Sequence, residues 1–99
     1  MPPEYLIPLK AKAYLDLSAR KESGESVDSK HIRKHKNDVF RLSQVLTPES
    51  TVELPTAIAQ DLRQFLDQMT QDLPDLKNLG IKTTPPDEVI SRLRQVYNL

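Results

Sequence analysis

Apolar residues recur along this chain at steps of three and four, the spacing that lines one face of an α-helix. Four stretches carry the pattern. Over about 8–22, Leu6, Leu9, Ala13 and Leu17 form a stripe with Tyr14 alongside. Over 29–46 the line is Ile32, Val39, Leu42, Val45 and Leu46, with Phe40 beside it. Over 55–71 it is Ile58, Leu62, Phe65, Leu66 and Met69, running on to Leu73. Met69 falls on the stripe and reads as core filler. Over 85–97 it is Val89, Ile90, Leu93, Val96 and Tyr97. A shorter helical piece fits 73–79. No run alternates with period two over strand length. The fold class predicted is all-α: one domain over 1–99, a bundle of four main helices plus one short helix, with no sheet.

The punctuation between stripes agrees. Pro2, Pro3 and Pro8 keep the first residues extended, and Pro8 suits the first turn of a helix, where its missing N–H is not needed. Gly24 and Gly80 are the chain's only glycines. Each follows a helical stretch, and Gly24 suits a left-handed cap. Asp28 or Ser29 caps the second helix, which ends before Pro48. Thr47–Thr51 reads as a turn, Val52–Leu54 as a short extended piece, and Pro55 opens the third helix. Thr84, Pro85, Pro86, Asp87 and Glu88 read as a hydroxyl cap, a first-turn proline and first-turn acids.

The apolar fraction of 37% and five aromatics without Trp describe a modest core of Leu, Ile, Val and Ala. Cysteine is absent, so no disulfide or cysteine-based metal site can form. That composition suits a reducing cytoplasm, the expected location. No apolar run has the length of a membrane span, and the N-terminus lacks the basic start and apolar core of a secretory signal.

Net charge is zero, from 14 basic and 14 acidic residues. The balance hides a gradient. Residues 1–42 carry nine Lys/Arg against six Asp/Glu, and residues 43–99 carry five against eight. Neutrality argues against a general nucleic-acid coat, whereas a polar charge distribution suits a local anionic ligand or a partner covering one end.

The basic residues concentrate between Ser29 and Leu42. Lys30, Arg33, Lys34, Lys36 and Arg41 gather there with both histidines, His31 and His35, around one acid, Asp38. His35 and Lys36 also interrupt the apolar stripe between Ile32 and Val39. Such a conflict between patterning and composition is where functional sites are expected. Lys30, Lys34 and Asp38 stack at steps of four on a helix, as do Arg33, Asn37 and Arg41. Two readings stay open: a solvated face with an internal ion pair, or a phosphate-binding surface built from Lys30, Arg33, Lys34 and Arg41. No aromatic interleaves with the cations, which weakens base stacking on single strands.

His31 and His35 have the one-turn spacing of paired metal ligands. Ile32 stands where H-E-x-x-H needs a glutamate, no third histidine exists, and cations surround the pair, so no metal site is assigned. Ser-His-Asp sets, paired catalytic carboxylates and glycine-rich phosphate loops are missing, and two glycines are too few for a dinucleotide fingerprint. Catalysis by this chain alone is not expected.

Two segments carry a resemblance. Leu6–Leu17, containing Lys10-Ala11-Lys12-Ala13, and Lys34–Leu42, containing Asn37-Asp38-Val39-Phe40-Arg41-Leu42, resemble the C-terminal helical region of AbiEii/AbiGii-type nucleotidyltransferase toxins, which act in abortive infection and toxin–antitoxin systems. That region carries a K-x-x-A helix and an R-D-x-x-D-L motif. Lys10 with Ala13 matches the first, and Asp38 and Leu42 match the second. Asn37 replaces the motif's arginine, and Arg41 its second aspartate. The family's catalytic half carries a Gly-Ser step and a metal-binding D-x-D pair, and neither occurs in this sequence. The resemblance implies a detached C-terminal domain, catalytically silent alone. Lys10, Lys12, Lys36 and Asp38 would face a nucleotide or RNA site. It also implies no cofactor by itself, with Mg and a nucleotide only when joined to a catalytic half. The partners implied are that half, an antitoxin or RNA, and not a membrane. The alternatives are a stand-alone helical protein-interaction module and a small RNA- or DNA-binding domain. Lys10 or Lys12 within about 6 Å of Asp38, the range of strong coupling between opposite charges, would support a shared site, and placement on opposite faces would count against it.

Overall fold

The first helix begins at Pro3, earlier than the proline-rich start suggests. In the computed structural model, which describes residues 2–46, 49 and 51–99, helix α1 spans Pro3–Glu22, with Pro2 as N-cap and Pro3 in its first turn. Pro8 therefore lies inside the helix, buried. A proline there cannot bond the carbonyl four residues back, that of Glu4. The Tyr97 hydroxyl donates to that carbonyl at 2.6 Å. The side chain of a distant residue thus fills the place of the missing amide, and the helix passes through Pro8.

Helix α2 spans Ser29–Ser43, α3 Thr56–Gln71 and α4 Pro86–Val96, with a 3₁₀ turn at Leu76–Leu79. No strand occurs among the described residues, and the architecture is an all-α bundle. The Asp28 carboxylate caps α2 by accepting from the Lys30 amide at 2.9 Å. Helix α2 stops at Ser43 rather than at 46. There the buried Ser43 hydroxyl donates to the Phe40 carbonyl at 2.6 Å, and Gln44 and Val45 turn out of the helix. The expected turn over 47–51 lies largely outside the described residues. Val52 is tied to the end of α4, its amide donating to the Val96 carbonyl at 2.8 Å. The short helix expected over 73–79 contracts to the 3₁₀ turn, started by Asp75 accepting from the Lys77 amide. Thr84 does not cap α4: Pro85 occupies that position without a side-chain cap, and Pro86 is the first-turn proline.

Three of the helical segments end in the same way. After α1, Gly24 (φ +95°) donates to Lys21 and Glu25 to Arg20. After the 3₁₀ turn, Gly80 donates to Lys77 and Ile81 to Leu76. After α4, Asn98 (φ 55°) and Leu99 repeat the pattern onto Gln95 and Arg94. Each is a Schellman closure, whose left-handed residue satisfies the last carbonyls of the helix.

The core is built on α1, which packs against both α2 and α3, while α4 closes on α3 and α2. Phe65 of α3 is fully buried between Tyr14 of α1, edge-on at 5.3 Å between ring centres, and Phe40 of α2 at 6.5 Å. Leu62, Leu66, Val89, Leu93 and Val96 belong to the same fully buried interior. The phase expected for α1 is corrected. Ile7 and Ala11 are its fully buried residues, and Leu9 is 49% exposed. Helix α1 is apolar around most of its circumference, so spacing alone selects no face. Sandwiching between α2 and α3 selects Ile7 and Ala11. The outer members of two other stripes also leave the core: Val45 is 63% exposed, and Ile58 and Leu73 lie at the surface.

Candidate functional site

Lys10 and Asp38 meet across the α1–α2 interface, their Nζ and Oδ2 atoms 3.2 Å apart. Both are largely sheltered, with side chains 29% and 20% exposed. The other carboxylate oxygen, Oδ1, faces the Arg41 guanidinium at 3.8 Å. Asp38 thus sits between two cations, one from each helix, and the three groups together carry one net positive charge. The separation lies within the range over which opposite charges couple strongly. The helical period explains the placement on α2: Lys34, Asp38 and Arg41 lie three and four positions apart and share one side.

His35 belongs to the same cluster. It lies one turn before Asp38, half-buried, and its Nδ1 atom is fully buried with no hydrogen-bond partner among the described residues. Burial first, and then the charge of Lys10, push the imidazole below its ordinary range, with Lys34 and His31 adding to the push and Asp38 opposing it. His35 is the site residue that sequence spacing passed over. Its signal was the break in the apolar stripe together with its position three residues before Asp38.

The other two residues assigned to the nucleotide site lie elsewhere. Lys10 and Lys12 are two positions apart on α1, so their side chains leave the helix about 200° apart. Lys10 reaches α2, whereas Lys12 reaches Asp61 of α3 at 3.8 Å. Lys36 is likewise about 200° around α2 from Asp38. It is half-buried and has no ion-pair partner among the described residues.

The exposed cations of α2 form a second feature, which shares Arg41 with the first. Lys30, Arg33, Lys34 and Arg41 are all exposed. Lys30, Lys34 and Arg41 follow one ridge of α2 with Arg33 at its edge, over a length of about 16 Å at 1.5 Å per residue. Asp38 borders this ridge and is engaged by Lys10.

On another face, Tyr5 (52% exposed), Leu9 (49%) and Ile58 line an apolar groove with Leu54 and Pro55. This groove arises because α1 presents Leu9 away from the core. Among the described residues no three His, Cys, Asp or Glu side chains gather as a metal site would require, and no helix is long and apolar enough to cross a membrane.

Comparison of the chain with protein-family models, with curated proteins and with solved structures gave no match.

Proposed function

We propose that this domain is the non-catalytic helical part of a nucleotidyltransferase-like protein of the abortive-infection and toxin–antitoxin type, and that it forms one wall of a nucleotide or RNA site. Lys10 and Arg41 supply the charge that attracts phosphate, and Asp38 holds both cations in place. The observation that carries this reading is the 3.2 Å contact between Lys10 and Asp38. These are the two charged positions on which the sequence resemblance rests, and they come from separate helices. Lys12 and Lys36 stand outside the proposed site and serve as negative controls. The exposed ridge of Lys30, Arg33, Lys34 and Arg41 extends the same positive field along α2, where it would meet the backbone of an RNA.

The test is a titration of the isotope-labelled chain with ribonucleoside triphosphates and with transfer RNA, followed by amide chemical shifts. The expected response centres on Lys10, His35, Asp38 and Arg41, weakens in Lys10→Ala and survives in Lys12→Ala. Absence of any response near residues 10–12 and 30–41 with both ligands would remove the proposal. A response confined to Tyr5, Leu9 and Ile58 on adding a protein partner would instead support a stand-alone interaction module, which the apolar groove favours. The two readings differ in salt dependence. Phosphate contacts weaken steeply as salt rises, whereas an apolar groove responds little.

A further inference from the structure

His35 has no role in the chemistry described so far, yet its position is unusual for a histidine. One ring nitrogen is buried without a partner among the described residues, which is costly for a polar atom. The ring lies within range of charges from two helices. His35 lies one turn before Asp38 on α2, and the Asp38 carboxylate meets Lys10 of α1 at 3.2 Å. The charges acting on the ring are those of Lys10 from α1 and of Asp38, Lys34 and His31 from α2. None of the charges that act on it comes from α3 or α4.

We propose that His35 is a third, proton-dependent cation of the Lys10–Arg41 anion site, taking up a proton when a phosphate-like oxyanion binds there; this rests on the anion-site reading proposed above. In the free protein the local balance favours the neutral imidazole. Burial and the neighbouring Lys10 and Lys34 oppose a further positive charge, and Asp38 is already shared between Lys10 and Arg41. An arriving oxyanion reverses this balance. It brings negative charge to the same patch, so the imidazolium gains a partner and the proton binds more tightly. By linkage the anion must then bind more tightly as the proton becomes available. The fixed cations would hold the anion at all pH values near neutral, and His35 would add strength on the acid side.

The probe is inorganic sulfate, whose charge does not change over the range where imidazole titrates, with chloride matching the ionic strength. Proton NMR follows the ring signals of His31 and His35 through a pH titration, with and without sulfate. The expected result is a His35 titration displaced to higher pH by sulfate, with exposed His31 displaced less. The sulfate dissociation constant should fall by up to about tenfold per pH unit across the His35 titration, the limit for one linked proton. It should be nearly flat in His35→Gln. A His35 titration unmoved by sulfate overturns the inference. If the Lys10 signals still respond to sulfate, the anion site survives that result; if they are silent, the site fails with it. Because the ring titration is read in the unmodified chain, the outcome does not depend on whether His35→Gln folds.

Discussion

The Tyr97 hydroxyl donates to the Glu4 carbonyl at 2.6 Å, joining the end of α4 to the first turn of α1. Glu4 is the residue whose carbonyl Pro8 cannot bond, so the contact repairs a defect in α1 and at the same time pins the two helices together. The buried hydroxyl is pushed well above the ordinary tyrosine range, first by burial and then by the nearby Glu4 charge. Tyr97→Phe should therefore cost about 1 kcal/mol, a typical net value for one hydrogen bond. That lowers the melting temperature by roughly 5 °C for a domain of this size. Replacing Pro8 with Ala restores a helical amide, so the cost of Tyr97→Phe should shrink in that background. A double-mutant cycle from urea melts should give a coupling of roughly 0.5–1 kcal/mol. Strictly additive costs would show that the hydroxyl is not compensating for the proline.

The two apolar faces of α1 make opposite predictions. Ile7 is fully buried and Leu9 is half exposed. Ile7→Ala should cost about 2–5 kcal/mol, since it removes core volume and leaves a cavity. Leu9→Ala should cost less than about 1 kcal/mol, as substitutions at half-exposed positions usually do. Equal losses in denaturant midpoint would place Leu9 in the core, contrary to the packing described above.

Gly24 offers a test of backbone strain alone. Its φ is +95°, and an added Cβ would meet nothing within 4 Å. Gly24→Ala should thus destabilise by roughly 1–2 kcal/mol through the left-handed conformation and not through a clash. Gly24→Asn should recover part of that loss, because Asn tolerates this region better. Thermal melts of the two variants decide the matter, and equal stability of wild type and Gly24→Ala would contradict the capping role.

His35 sets an expectation for stability against pH. Its folded-state pKa lies below the ordinary imidazole value of about 6.5. The unfolded chain therefore binds the proton more readily. The stabilisation is complete above that ordinary value and is lost as pH falls through it towards the folded pKa. Urea midpoints measured on either side of the imidazole range should fall on acidification, and the fall should be smaller in His35→Gln. An identical fall in both proteins would assign the acid sensitivity to other groups.

The residues that read clearly from the chain are those whose neighbours in sequence decide their fate. Val89, Ile90, Leu93, Val96 and Tyr97 form one stripe on α4, and all are buried. Leu62, Phe65, Leu66 and Met69 behave the same way on α3. On these helices the polar residues leave only one face able to enter a core. The α2 cap, narrowed to Asp28 or Ser29, and Gly24 as a left-handed closure were also legible, because each satisfies backbone groups within a few residues of itself. Helix α1 was not legible in this way. Its apolar residues surround it, and the choice of Ile7 over Leu9 needed two neighbours.

The candidate site divides along the same line. The basic block and its lone acid are evident from composition, and the spacing of Lys34, Asp38 and Arg41 follows from the helical period. That Lys10 and not Lys12 faces Asp38 depends on how α1 is rotated between α2 and α3. Periodicity alone could not settle that rotation in a helix with two apolar faces.

By itself, then, the sequence determined an all-helical domain, its glycine stops after α1 and the 3₁₀ turn, and a cationic α2. These rest on backbone hydrogen bonding and on side-chain spacing within one element. Only the tertiary structure decided that Pro8 lies inside α1, that Tyr97 replaces its missing amide, and that Lys10, His35 and Asp38 form one cluster. The last two relations join residues of different helices, and packing between helices is what brings them into contact.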